Sequence, residues 1–335
     1  MTLPLALTLG DPAGVGPEIV MKAWAALRNG GPCFVVVGDY QSLASASPSG
    51  ASVVRRVSRP SEAAAAFADT VPVIDMPLQR PVVAGQPSSG SAPMVIRWIE
   101  TAVGLALSGS VSGVVTAPIA KKPLYDAGFP FAGHTEFVAD LVEGEAWNRP
   151  RGPVMMLAAP GLRTALVTAH CAIADVPRAL SIDKVVKVGR VLHDALKHDF
   201  GVEQPRIALA ALNPHAGEAG ALGEEEIEVL NPAAAALRSL GVEVGEARPA
   251  DTLFHEDARR GYDGVICQYH DQALIPLKTL DFWGGVNITL GLPVVRTSPD
   301  HGVGFDIAGR GVARADSLIA ALRAAAAIAG RRAAA

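Results

Sequence analysis

The chain has 335 residues; half are hydrophobic, 19% are charged and only 5% are aromatic, and the formal net charge is −4. That length exceeds the roughly 250–300 residues at which a single core stops growing, so two domains are expected, and the apolar content excludes a disordered chain. The mild acidity leaves no basic footprint for nucleic acid, and no run reaches the ~20 apolar residues of a membrane span.

The opening, MTLPLALTLGDPAG, has no charged leader region and runs straight into a motif, so it is read as the start of a fold rather than a signal peptide. Leu3 to Leu9 reads as a buried strand, Gly10 to Gly16 as a glycine loop, and Ile19 to Gly30 as a helix with Pro17 near its first turn and Glu18 set against its dipole. Such a loop can hold an anion on backbone N–H groups, which makes Gly10, Asp11 and Gly14 candidates for cofactor binding. The spacing matches neither the dinucleotide fingerprint nor a Walker loop, and a plain tight turn explains it as well. Cys33 to Gly38 is a second strand with Asp39 at its end. Gln41 to Pro60 is weakly patterned, Val71 to Asp75 is a strand, Ala84 to Pro93 is a loop, and a helix follows from Val95 to Leu107. Gly113 to Pro118 is a strand leading to a turn with Lys121 and Lys122. Unbroken apolar strands alternating with helices predict an α/β fold whose mostly parallel sheet is covered on both faces.

Three later runs end alike. Arg163 to His170, Ile207 to His215 and Gly264 to His270 each read as a strand delivering a histidine. Carboxyl ends of strands line the ligand crevice in open α/β sheets, so these imidazoles can converge, and three of them with one open position suit a catalytic zinc ion. The competing reading for each is a histidine satisfied by ordinary hydrogen bonds. Asp251 and Asp271 are candidate carboxylates for orienting imidazoles, although Asp251 also fits an N-cap before Thr252. Lys278, Asn287 and Arg296 are three donors on an otherwise apolar stretch, suited to a small anionic substrate such as a phosphate ester. His134 and Thr135, ahead of a helix, form either a substrate-gripping turn or a cap, and the residues alone favour the cap. His193 and His198 are assigned to the wet face of a helix capped by Ser181 and stopped at Gly201. His255 and His301 are loop and turn residues, Cys171 is buried, and Glu224-Glu225-Glu226 is the first turn of a solvated helix. The three cysteines, Cys33, Cys171 and Cys267, show no disulfide framework, which suits a reducing cytoplasm.

Six motifs in order, GDPAGVGPE at 10–18, GHTE at 133–136, NPHAGE at 213–218, YHDQ at 269–272, GVNITLGLP at 285–293 and RTSPDHG at 296–302, resemble the 4-hydroxythreonine-4-phosphate dehydrogenase family from about Leu5 to Leu322. The opening motif and the tail Asp306 to Gly311 also resemble isocitrate and isopropylmalate dehydrogenases. The resemblance implies two α/β/α domains around a largely parallel sheet, one formed by residues 1–128 and 285–335, the other inserted as 129–284, with the active site in the interdomain cleft. It implies a homodimer with the site at the subunit interface, and His170, His215 and His270 as divalent metal ligands drawn from both subunits. His134, Thr135, Lys278, Asn287 and Arg296 match its substrate-binding residues, and Asp251 and Asp271 its supporting carboxylates; Asp306 joins the cofactor candidates. The implied reaction is a metal-dependent, NAD- or NADP-linked oxidative decarboxylation of 4-phosphohydroxy-L-threonine in pyridoxal phosphate synthesis, with Lys278 or a metal-bound water moving the hydroxyl proton. Zn²⁺ is favoured by the imidazoles, with Mg²⁺, Mn²⁺ and Co²⁺ open. Trp283 and Gly284 stand where relatives often carry smaller or charged residues, and the DHGVGFDIAG tail is closer to some sub-branches than to others, which keeps open a dehydrogenase of threonate or erythronate 4-phosphate; a third reading, from another class, is a non-redox phosphate-metabolite-binding protein.

Overall fold

The computed structural model describes residues 3–47 and 50–334, so Met1 and Thr2 of the opening stretch and Pro48 and Ser49 of the weakly patterned region lie outside it. The chain divides into two compact units, Met1–Ala146 with Pro293–Gly330, and Trp147–Leu292 with Arg331–Ala335. The first unit carries strands β1 (Leu5–Thr8), β2 (Phe34–Gly38), β3 (Val54–Arg56), β4 (Val71–Asp75) and β5 (Val114–Thr116). The second carries β6 (Val154–Ala159), β7 (Leu162–Leu166), β8 (Arg206–Ala210), β9 (Glu243–Arg248), β10 (Gly264–Cys267) and β11 (Val286–Leu290), and the chain then returns to the first unit with β12 (Arg296–Pro299).

In the first unit the strands run in the order β3-β4-β2-β1-β5-β12, and all neighbours are parallel. Every residue of β1, β2 and β5 is buried, as mostly apolar runs in a covered parallel sheet require, and the polar strand β12 (Arg-Thr-Ser-Pro) is buried as well. The helix Ala92–Leu107, with Pro93 in its first turn, packs on β1 and β2 through Val95, Trp98, Ile99, Ala102 and Val103. The weakly patterned region holds a helix at Tyr40–Ala46, capped by Asp39 through Ser42 N–H at 2.7 Å, and the short edge strand β3. The glycine loop is shaped by close approach: Gly10 has φ +75°, and a Cβ there would lie 2.5 Å from Pro118 O. Glu18 does more than complement a helix dipole. Its buried carboxylate accepts from Lys22 Nζ at 2.8 Å and from Ala313 N–H at 2.8 Å, tying the helix Gly16–Leu27 to the returning segment.

In the second unit the order is β11-β6-β7-β10-β8-β9. β6 runs antiparallel to both β11 and β7, while β7, β10, β8 and β9 are parallel. The helix His270–Leu280 sets Ala273 and Leu277 into a core with Leu157, Leu162, Leu166, Val265 and Cys267, which fixes the position of its first turn. The helix Ile182–His198 has the expected Ser181 cap, whose Oγ accepts from Lys184 N–H at 3.3 Å. At its far end the buried Asp199 carboxylate takes Arg149 Nη2 at 3.1 Å and Arg332 Nη2 at 2.8 Å, and Arg149 also reaches Asp194 at 2.7 Å. Asp199→Ala would strand two largely buried guanidinium groups. We expect it to destabilise by about 3–5 kcal/mol, measured as a shift in urea unfolding, with a smaller shift for Asp194→Ala.

The unit boundaries fall at 146/147 and 292/293, not at the expected 128/129 and 284/285. The helix His134–Leu141 packs on the helix Ala92–Leu107 and so belongs to the first unit, and β11 pairs with β6 and so belongs to the second. His134 and Thr135 therefore sit in the first unit, and Asn287 in the second. No helix among the described residues is long and apolar enough to cross a membrane.

Candidate active site

In the first unit the expected residues gather around Arg296. This residue opens β12 in register with Val114 of β5 and is 2% exposed. Its Nη2 donates to Thr116 Oγ1 at 2.8 Å and its Nη1 to Thr135 Oγ1 at 3.4 Å. Burial pushes the guanidinium down to about 10, against the pull of Glu136, so it remains cationic at neutral pH. Thr116 was not among the expected site residues; its signal was being the one polar residue of an apolar strand. His134 is the first residue of its helix rather than a cap, and Gly133 occupies the cap position. It is half-buried, and its Nε2 is sealed from solvent with no hydrogen-bond partner. A buried guanidinium beside an unsatisfied imidazole nitrogen and two threonine hydroxyls is a competent receptor for phosphate or carboxylate oxygens.

Burial and the nearby Arg296 charge hold the His134 pKa well below 6.5, so the ring is neutral at pH 7. As pH falls through about 6.5 the unfolded chain takes up a proton that the folded chain refuses. Stability contributed by the neutral ring is therefore present above that pH and lost below it. We expect the chemical-denaturation midpoint to drop between pH 7 and pH 5 by more in the wild type than in His134→Gln.

The second unit assembles an imidazole pair. β7 and β10 both stop before their histidines: His170 lies in the bend after β7 and His270 opens its helix. The two rings are 6.1 Å apart between centroids, and both line a cavity of about 400 Å³ together with Cys171, Tyr269 and Asp271. Asp271 Oδ1 lies 2.7 Å from His270 Nδ1, which directs the other ring nitrogen away from the carboxylate and leaves it suited to a metal ion. The donor chemistry fits a divalent cation, with two imidazoles from one chain. Among the described residues no three His, Cys, Asp or Glu side chains of a single chain form a metal-holding group, so His215 does not complete the set within one copy. Lys278, on the same helix as His270, lies 5.3 Å over the Phe282 ring. Asn287 projects from β11 with Oδ1 buried and without a partner, an acceptor waiting for an N–H or O–H donor. Asp251 is exposed on the turn Ala250–Thr252; it neither caps a helix nor reaches an imidazole by any hydrogen bond among the described residues.

His215 lies five residues past the end of β8, in a turn where His215, Ala216, Gly217, Glu218 and Ala219 all have positive φ. Four of these are not glycine, and each costs about 1–2 kcal/mol in the left-handed region, so the turn must be held by its surroundings. Other expectations shift with burial. Glu226 is 2% exposed rather than solvated, Cys171 is half-exposed rather than buried, and His193 is half-buried with a sealed Nδ1. Of the cofactor candidates, Gly14 lines a cavity of about 640 Å³ with Pro12, Ser42, Arg80 and Arg310. Gly10 is explained by the tight turn. Asp11 accepts from Ala13 N–H at 3.0 Å and its pKa is raised by burial, while Asp306 is exposed.

Residues 31–325 match the family model described as pyridoxal phosphate biosynthetic protein PdxA. The chain is 64% identical over 329 residues to the 4-hydroxythreonine-4-phosphate dehydrogenase of Caulobacter vibrioides, and 52% identical over 338 residues to that of Maricaulis maris, covering 98% of each chain in both cases. The crystal structure of the Klebsiella pneumoniae 4-hydroxythreonine-4-phosphate dehydrogenase superposes with a TM-score of 0.86 at 39% identity over 98% of both chains. A terephthalate 1,2-cis-dihydrodiol dehydrogenase from Burkholderia xenovorans is similar at 28% identity and TM-score 0.64, again over 98% of both chains.

Proposed function

The chain belongs to the pyridoxal phosphate biosynthetic family PdxA, and on that premise we propose that it oxidises and decarboxylates 4-phosphohydroxy-L-threonine to 3-amino-2-oxopropyl phosphate. The observation that carries the reading is the buried Arg296 cation with Thr135 and the unsatisfied His134 nitrogen, a receptor for an anionic substrate end. In the reaction the C3 hydroxyl loses its proton and C3 loses a hydride, giving a ketone. The C1 carboxylate then leaves as CO₂, its bonding electrons pass to C2, and C2 takes up a proton. When bound, NAD or NADP accepts the hydride, and a divalent ion, Zn²⁺ in our reading, supplies Lewis acidity at the oxygen.

The chain's own residues do the rest. Arg296, Thr135 and His134 hold the anionic end. Asn287 Oδ1 accepts from the substrate amine or hydroxyl, an assignment supported by its buried, unsatisfied state. Lys278 is assigned to moving the hydroxyl proton. His170 and His270 would hold the ion, with Asp271 orienting His270, and His215 would come from the second copy of a homodimer; the incomplete imidazole set of a single chain supports that pairing. The cavity beside Gly14 has room for the nucleotide end of the cofactor. Three free cysteines suit a reducing cytoplasm.

The test is the absorbance of reduced nicotinamide. With divalent metal supplied, turnover of the amino substrate is expected at a higher kcat/KM than that of threonate or erythronate 4-phosphate. Preference for a hydroxy acid would move the assignment to the sugar-acid branch, and no absorbance change with any of them would overturn the dehydrogenase reading.

A further inference from the structure

Glu226 stands in a run of three glutamates, and it alone of the three is buried. Its Oε1 accepts from Leu212 N–H at 2.8 Å and Asn213 N–H at 2.9 Å, and its Oε2 accepts from Asn213 Nδ2 at 2.9 Å. Asn213 Nδ2 also donates to Glu225 Oε2 at 2.6 Å. Each of these bonds falls on the two residues that lead into Pro214 and His215. A buried carboxylate needs its lone pairs filled, and this one is filled by the exit of β8 rather than by a cation. The same carboxylate lies under the left-handed turn: a Cβ on Gly217 would come within 2.7 Å of Glu226 Oε2. The turn closes on itself through Leu222 N–H to Gly217 O at 3.0 Å and Ala221 N–H to Glu218 O at 3.2 Å.

We infer that Glu226 is a positioning residue for His215. It anchors the entry and the floor of a strained turn, and so fixes the direction in which the imidazole leaves the chain. The inference rests on the reading of His215 as a metal ligand. A carboxylate is needed at this position because two backbone N–H groups and an amide N–H all converge on it. A glutamine would turn its own N–H₂ toward one of those donors and loosen the entry.

The experiment is a Co²⁺ titration of the folded, metal-free full-length protein, followed by chelator competition and by the visible absorption of the bound ion. Glu226→Gln is expected to weaken Co²⁺ binding roughly 10–100-fold and to alter the ligand-field bands. Its kcat should recover toward wild type as metal is raised, with little change in substrate KM. Glu224→Gln, an exposed neighbour, should behave as wild type. A folded Glu226→Gln with wild-type affinity and bands would overturn the inference, and so would a loss of thermal stability alone. If Glu226→Gln does not fold, Asn213→Ala decides, since it removes the side-chain bridge but keeps both backbone bonds: weaker Co²⁺ binding supports the inference and unchanged binding overturns it. His215→Ala separates the two levels. Wild-type Co²⁺ affinity there sinks the reading of His215 as a ligand, whereas loss there with none in Glu226→Gln sinks only the positioning role.

Discussion

Arg296→Met is expected to lower kcat/KM roughly 10²–10³-fold while leaving the folded protein within about 2 kcal/mol of wild-type stability. The two halves of that result have one cause. The guanidinium is held in a dry site where burial has pushed its pKa down to about 10, so its charge contributes little to folding. Methionine fills much of the stem's volume without the charge. Arg296→Lys keeps the charge but not the planar fork that engages Thr116 and Thr135 together, and it should fall between wild type and methionine. Steady-state kinetics with thermal unfolding of each variant checks both halves. Wild-type kcat/KM in Arg296→Met would remove this residue from the site.

His270→Ala and His170→Ala are expected to lower divalent-metal affinity and kcat together, each by more than about 10²-fold, and Asp271→Asn by about 10–100-fold. The order follows from the geometry. The two rings face one cavity 6.1 Å apart, so deleting either removes a donor outright. Asp271 touches His270 at Nδ1 and acts on the site only through that ring. Metal content after dialysis and kcat at fixed metal measure the series. An Asp271→Asn effect larger than that of His170→Ala would contradict the assignment of the imidazole pair.

The apolar strands were legible because a buried parallel sheet writes itself as unbroken runs: β1, β2, β4, β5 and β10 fall within the expected stretches, and β8 begins one residue ahead of its own. β3 was not, because it is a three-residue edge strand whose two arginines face solvent. β6 lay outside the expected strands, although Pro160 and Gly161, a turn pair, separate it from its antiparallel partner β7. The domain boundaries slipped for a related reason. What assigns the helix His134–Leu141 and strand β11 to a unit is what they pack against, and packing partners are not written locally. The three histidines were placed too simply at strand ends, since two lie in loops past their strands and one opens a helix. Glu226 shows the limit most clearly. A Glu-Glu-Glu run reads as solvated, and only the backbone donors left at the end of β8 turn its third member inward.

The return of the chain to its first unit sets an order for biosynthesis. β5 takes β12 as its neighbour, and Glu18 closes on Ala313, so the unit begun by the first residues to leave the ribosome waits for residues near 300 to complete its sheet. The second unit's strands, all between Val154 and Leu290, have their partners within that unit in hand while β12 is still being made. A chain that ends near residue 292 therefore has the second unit's strands paired among themselves and a first unit that lacks β12, exposing the flank of β5 to whatever chaperone or neighbouring chain reaches it first.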